Sequence, residues 1–167
     1  MSSEISDERV VEIMNRSFSN GKNPSISTLS KVNGHRIISF DRTKGELVMV
    51  FKGDPMFSNG KIGTTGQVQG GFAGAMLDAA TAQMVVVYSK FKFTVATLEQ
   101  KCTFLQPVPL DCDLYAIAKV IRFGKRIAFM EAELRAESRD GKLLVTSSTT
   151  QSLVALPTKA EKKNAKL

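Results

Sequence analysis

Between Phe72 and Ser89 the chain reads FAGAMLDAATAQMVVVYS, and Asp78 is the only charge in those eighteen residues. A run this apolar must be buried, and its spacing of Ala73, Met76, Leu77, Ala80, Met84 and Val87 suits a helix packed on a sheet. The rest of the fold therefore has to supply something that wraps around one long helix. Asp78 adds a second constraint. An isolated carboxylate on a buried helix is costly unless it is paired or used. It follows Gly70-Gly71 by two helical turns, and a glycine pair at a helix start exposes backbone N–H groups. An electrophile held by those N–H groups and attacked or hydrated by a carboxylate describes an acyl-transfer site.

The flanking segments are of the right kind to form the wrapping. Val10, Val11, Ile13, Met14 and Phe18 make one side of a short amphipathic N-terminal helix. Ser, Asn, Gly, Lys and Pro dominate 19–33, which reads as a loop. Short strands are expected over His35–Phe40 and Glu46–Phe51, then a second loop over Pro55–Gly66. After the helix, four strands are expected: Thr94–Leu105, Leu114–Phe123, Ile127–Arg139 and Lys142–Val154. In the first, Ala96, Leu98, Cys102 and Phe104 fall on one side, with Thr97, Glu99, Lys101 and Thr103 on the other. Gly124-Lys125 and Asp140-Gly141 mark hairpin turns. The result is an α+β fold: about six antiparallel strands curled around one central helix, plus an N-terminal helix. Residues 1–33 are helix and loop, 34–154 the domain proper, and 155–167 a basic tail with Lys159, Lys162, Lys163 and Lys166.

Composition narrows the function classes. The 167 residues fit one domain. Two cysteines, Cys102 and Cys112, make no disulfide framework, and with one histidine there is no Cys/His zinc set. Both cysteines read as reduced strand residues of an intracellular protein, and no metal is expected. Glu4, Asp7, Glu8 and Glu12 are incompatible with a secretory signal. The Phe72–Ser89 run is too diluted by Gly, Asp, Thr and Gln to read as a membrane span. A formal net charge of +7 points to an anionic ligand. No nucleic-acid-binding motif is present, so a phosphorylated small molecule is the better fit. His35, the sole histidine, lies at a strand start far from the glycine pair, which argues against a histidine triad.

The order of elements, GQVQGGFAGAMLDAATA at 66–82, the strand Thr97–Pro107, Gly124-Lys125-Arg126 and Asp140-Gly141-Lys142-Leu143 together resemble the hotdog fold and its acyl-CoA thioesterases. The nearest type is that of phenylacetate degradation, the PaaI-like enzymes, over roughly 34–154. In that family a Gly-Gly opens the central helix and an acid follows eight positions after the first glycine, the spacing of Gly70 and Asp78. The resemblance implies hydrolysis of acyl-CoA thioesters. Asp78 would be nucleophile or general base, with Gly70 or Gly71 polarising the carbonyl through its N–H. Gln69 would orient that carbonyl, standing where many relatives have histidine. Thr97 matches a small hydroxyl residue that positions water or the acid. Asn59 is the candidate for an asparagine that relatives place shortly before the glycine pair. Arg122, Lys125 and Arg126, about Gly124, would bind the coenzyme A phosphates. Coenzyme A is part of the substrate, so no separate cofactor is expected.

Eight helical residues span about 12 Å. Gly70 and Asp78 of one chain therefore cannot reach one carbonyl, and two helices packed antiparallel across a two-fold axis would share the site. A homodimer is the minimum and a homotetramer fits the family. The competing readings are a hotdog dehydratase or hydratase, which lacks here its helix histidine, and a non-catalytic acyl-CoA sensor. A DNA-binding regulator lacks its second N-terminal helix. The acyl group is open. Ala165-Lys166-Leu167 is a variant of the Ser-Lys-Leu address, giving a peroxisomal expectation for a eukaryotic source and a cytoplasmic one otherwise.

Overall fold

The computed structural model describes residues 5–19, 35–62 and 65–156. The stretch 20–34 and the tail from 157 lie outside them, and with them the expected first loop and the Ala165-Lys166-Leu167 address.

Helix α1 (Asp7–Ser19) is followed by β1 (Arg36–Asp41) and β2 (Glu46–Lys52). A small hairpin of β3 (Ser58–Ile62) and β4 (Thr65–Val68) precedes the central helix α2 (Gly70–Tyr88). Then come β5 (Phe93–Phe104), β6 (Asp113–Phe123), β7 (Ile127–Ala136) and β8 (Leu143–Ala155). Six strands form one antiparallel sheet in the order β1-β2-β6-β7-β8-β5. This is the hotdog arrangement, with α2 on the concave face.

Period-two alternation builds that face. Ala128, Met130, Ala132, Leu134 and Ala136 of β7 are buried inward, as are Leu114, Ala116 and Ala118 of β6 and Leu47, Met49 and Phe51 of β2. Against them α2 buries Ala73, Met76, Leu77, Ala80, Met84 and Val87, the six positions its spacing predicts. Alanines on β6 and β7 let the helix sit close to the sheet. Truncating fully buried Leu77 to alanine would cost about 2–5 kcal/mol. Over eighteen residues α2 has a mean hydropathy of 1.3, enough by length and composition for a membrane span. Dilution by polar residues is thus not what marks it as a core helix; its packing against the sheet is.

Helix α1 closes the β1 edge. Val10, Met14 and Phe18 are buried, and Asn15 bonds both the N–H (2.8 Å) and the carbonyl (2.9 Å) of Ile37. His35 is packed between the rings of Phe18 and Phe51, with centroids 4.8 and 5.6 Å away. Arg42 donates to the Tyr88 carbonyl at 2.9 Å and so ties the C-terminal end of α2 to the β1–β2 turn.

Three expectations change. Pro55–Gly66 is not all loop: Asp54 caps a short 3-10 turn, Pro55–Phe57, and the β3–β4 hairpin follows. Its glycines and shifted register erase the alternation that would announce strands. Strand β7 ends at Ala136 rather than Arg139, because Glu137 turns the chain with φ 66°. Asp140-Gly141 therefore lies in a wider connection, where a side chain at Gly141 would place Cβ 1.9 Å from the Ala136 carbonyl. Cys112 precedes β6 instead of lying in a strand.

Candidate active site

A groove of about 580 Å³ runs along α2 beside β5, lined by Gly70, Gly71, Gly74, Ala75, Asp78, Gln100, Cys102 and Phe104. One end is the helix start. Gln69 is its N-cap, and its side-chain Oε1 accepts the Phe72 N–H at 3.2 Å while its carbonyl accepts from Phe72 and Ala73. The N–H groups of Gly70 and Gly71 come first in the helix and have no intrahelical acceptor. They and the helix dipole favour negative charge at this end. Neighbouring side chains crowd both glycines. A Cβ on Gly70 would stand 3.3 Å from the Phe104 ring, and one on Gly71 would stand 2.8 Å from Gln69 Oε1. Gln69 itself is a cap, turned back over the helix rather than lining the groove.

At the other end is Asp78. Thr97 Oγ1 donates to Asp78 Oδ1 at 2.6 Å, the short length of a hydroxyl bonded to a carboxylate. The sequence placed Thr97 on the side of β5 opposite Cys102 and Phe104. In the structure a bulge between Thr97 and Glu99 turns Leu98 outward, to 60% exposure, and inverts the parity of the strand. Thr97, Gln100, Cys102 and Phe104 thereby all meet the helix. An uninterrupted alternation would have left Thr97 facing solvent.

Three contributors were not anticipated from sequence. Gln100 donates to the Gly74 carbonyl at 2.9 Å and to Ser147 Oγ at 3.3 Å, clamping the helix one turn before Asp78. Gln151 of β8 and Thr81 of α2 are both fully buried behind Thr97. Gln151 lies 3.1 Å from Thr97 Oγ1 and 3.1 Å from Thr81 Oγ1, and Thr81 Oγ1 lies 3.0 Å from the Asp78 carbonyl. The available signal was Ser147, Thr149 and Gln151 at alternate positions of the last strand, polar residues where a core strand would carry aliphatics.

The remaining predicted residues separate into two places. Arg122, Gly124, Lys125 and Arg126 line an open hollow of about 570 Å³ with Ile127 and Phe129, at the β6–β7 turn. Sheet register relates it to the groove, since Phe123, Ala128, Gln151 and Thr97 are successive partners across β6, β7, β8 and β5. Thr97 is thus two strands, about 10 Å, from Ala128 at the hairpin end of β7. Asn59 is exposed in β3 and is not among the groove residues. Burial, then the carboxylates of Glu137 and Asp113, push the Cys112 thiol up, which keeps it protonated and a poor nucleophile. Among the described residues no group of three or more His, Cys, Asp and Glu could hold a metal ion.

Residues 65–142 match the family model of the thioesterase superfamily, the segment that holds α2, the groove and the basic hairpin. Over this segment the chain is similar to the thioesterase superfamily, and the whole domain has the hotdog fold of its structural relatives. A thioesterase from Haemophilus influenzae is similar at TM-score 0.68 and 21% identity, covering 89% of this chain and 93% of that one. A putative thioesterase of Ralstonia eutropha, a phenylacetic acid degradation-related protein, is similar at TM-score 0.66 and 29% identity, covering 83% and 98%. A Streptococcus mutans protein bound to acetyl CoA is similar at TM-score 0.62 and 14% identity, covering 74% and 91%. No curated protein matches the chain in sequence.

Proposed function

We propose that the chain hydrolyses acyl-CoA thioesters to a carboxylic acid and coenzyme A. The observation that carries this reading is the hydroxyl-bonded carboxylate of Asp78, in a groove that begins at the unpaired N–H groups of a helix. The thioesterase-superfamily match and a structural relative bound to acetyl CoA support it.

The carbonyl oxygen of the thioester lies at the N–H of Gly70 or Gly71 and gains their hydrogen bonds as negative charge develops on it. Asp78 takes a proton from water, whose oxygen attacks the carbonyl carbon. The C–S bond then breaks, and the proton passes to the coenzyme A thiolate. In the covalent alternative an Asp78 oxygen attacks first and expels the coenzyme A thiolate, forming a mixed anhydride that water opens while its proton passes to the thiolate. A single turnover in ¹⁸O-water separates the two, because only the covalent route can place label in Asp78.

Two protomers supply the groups. With about 12 Å of helix between Gly70 and Asp78, the amide comes from one protomer and the carboxylate from its partner. The 12-residue β5 is an edge strand of the sheet and offers an unpaired ladder beside the groove. Arg122, Lys125 and Arg126 hold the coenzyme A phosphates at the hairpin hollow.

Thiol release from a panel of acyl-CoA esters, wild type beside Asp78→Asn, is the test. Turnover that collapses in the folded variant supports the reading and reveals the acyl preference. Tight binding of the thioesters without turnover would replace it with an acyl-CoA sensor. Mixing Asp78→Ala and Gly70→Pro protomers tests the sharing: reassembled mixtures regain activity if each two-fold site draws on both chains.

A further inference from the structure

We propose that Gln151 is a positioning residue. Its side-chain amide donates to Thr97 and so commits the single Thr97 proton to Asp78. The inference rests on Asp78 acting as a carboxylate in thioester hydrolysis.

Thr97 has one proton to give, and two acceptors lie within its reach. Thr97 Oγ1 lies 2.6 Å from Asp78 Oδ1 and 3.1 Å from the oxygen end of the Gln151 amide, whose nitrogen end lies 3.1 Å from Thr81 Oγ1. Gln151 and Thr81 are both 0% exposed, so water does not make up a shortfall at either. In that orientation an ionised Asp78 and the Gln151 oxygen both need the one Thr97 proton. The short bond goes to the carboxylate, which leaves the amide oxygen facing a lone pair in a buried position. The accepting orientation is complete only when Asp78 itself carries a proton.

Turning the amide end for end removes the conflict at Thr97, and the two ends of an amide have nearly the same shape. Gln151 Nε2 then donates to Thr97 Oγ1, Thr97 donates to Asp78 Oδ1, and Thr81 donates to Gln151 Oε1. Thr81 gives up its contact with the Asp78 backbone carbonyl, which keeps its own hydrogen bond within α2, so Asp78 Oδ1, Thr97 Oγ1 and Gln151 Oε1 each face a donor. The hydroxyl can no longer swing away from Asp78, so one carboxylate oxygen is held and the other is left for the groove. The elements fit this role. Gln151 is the register partner of Thr97, and Thr81 is one helical turn beyond Asp78.

Two measurements on the full-length protein test the proposal. The first is kinetic, in a double-mutant cycle of Gln151→Met and Thr97→Val assayed on the preferred acyl-CoA ester. Gln151→Met is expected to lower kcat about tenfold with KM nearly unchanged, and to lower it no further once Thr97 is valine. An equal loss in both backgrounds, or no loss at all, overturns the role. The second needs neither turnover nor a variant. With methyl-labelled threonine near pH 8, the Gln151 side-chain amide protons are expected to show their stronger nuclear Overhauser contact to the Thr97 methyl. A stronger contact to the Thr81 methyl overturns the donating orientation. If wild type hydrolyses no thioester yet the amide contacts Thr97, the thioesterase reading has failed and the hydrogen-bond assignment has not.

Discussion

The groove beside α2 and the hollow at the β6–β7 turn both hold residues singled out from sequence, yet they are built in opposite ways. The hollow is local: Arg122, Gly124, Lys125, Arg126, Ile127 and Phe129 lie within eight residues of chain, and one hairpin places them together. The groove is assembled from distant segments. Asp78 comes from α2, Thr97 and Gln100 from β5, and Gln151 from β8, seventy residues beyond Thr81, its hydrogen-bond partner. The groove sets two or three atoms against one another in a partly dry place. The hollow presents exposed cations that lack any fixed partner geometry among themselves. The first arrangement suits a reacting centre, where a small displacement costs rate. The second suits the capture of a charged, flexible group. Changes in the groove are therefore expected to appear in kcat, and changes in the hollow in KM and its response to salt.

The largest effect should come from Asp78→Asn. It keeps the shape and the Thr97 contact but removes the charge, and kcat on the best ester is expected to fall by about 10³-fold or more. A fall of less than tenfold, measured by thiol release, would mean that the groove is not the reacting centre and would erase the contrast. Next is Gly70→Pro. Gly70 is the first residue of α2, a position that accepts proline, and Gln69 has the extended conformation that must precede one (φ −62°, ψ 136°). The change deletes an N–H while leaving the helix able to start. A loss of about 10²-fold in kcat is expected if that N–H stabilises the developing oxyanion. An unchanged kcat would assign the role to Gly71.

The same distinction explains what could be read from sequence. The apolar run of α2, the alternation of β7 and the Gly-Gly to Asp78 spacing are local patterns, and they gave the helix, the six-stranded sheet and the two ends of the groove. The relation between Asp78 and Thr97 was legible only through the family resemblance, because a one-residue bulge at Leu98 inverts the strand. Nothing in the alternation of 94–105 marks which residue will be displaced. Gln100 and Gln151 were missed for a related reason. A buried glutamine looks like a surface one until the chain that satisfies it is known, and those partners lie 26 and 54 residues away. The β3–β4 hairpin was hidden because its register shifts within five residues.

Thr97→Val comes third. Valine fills the same volume and keeps the strand preference, so the fold is expected to stand. Losing one hydroxyl from a carboxylate corresponds to about 1.5–3 kcal/mol, or roughly 10- to 100-fold in kcat. Thr97→Ser should recover most of it. If serine fails to rescue, the threonine methyl rather than the hydroxyl is what matters, and the hydrogen bond at 2.6 Å is incidental to rate.

The smallest effect, and the one that tests the other half of the comparison, is expected at the hollow. Replacing Arg122, Lys125 and Arg126 together by alanine removes three exposed cations, which would meet the phosphates of the proposed substrate only through solvent-screened contacts. Each is expected to contribute about 0.5 kcal/mol, so the triple change should raise KM for acyl-CoA roughly tenfold and leave kcat within about twofold. Salt provides the sharper measurement. Between about 50 and 500 mM sodium chloride the wild-type KM should rise steeply, and that of the triple variant should hardly move. A truncated thioester without the nucleotide should show neither the KM change nor the salt dependence in either protein. If kcat falls with KM instead, the cations act on the reacting centre, and the division between a rigid groove and a screened hollow does not hold.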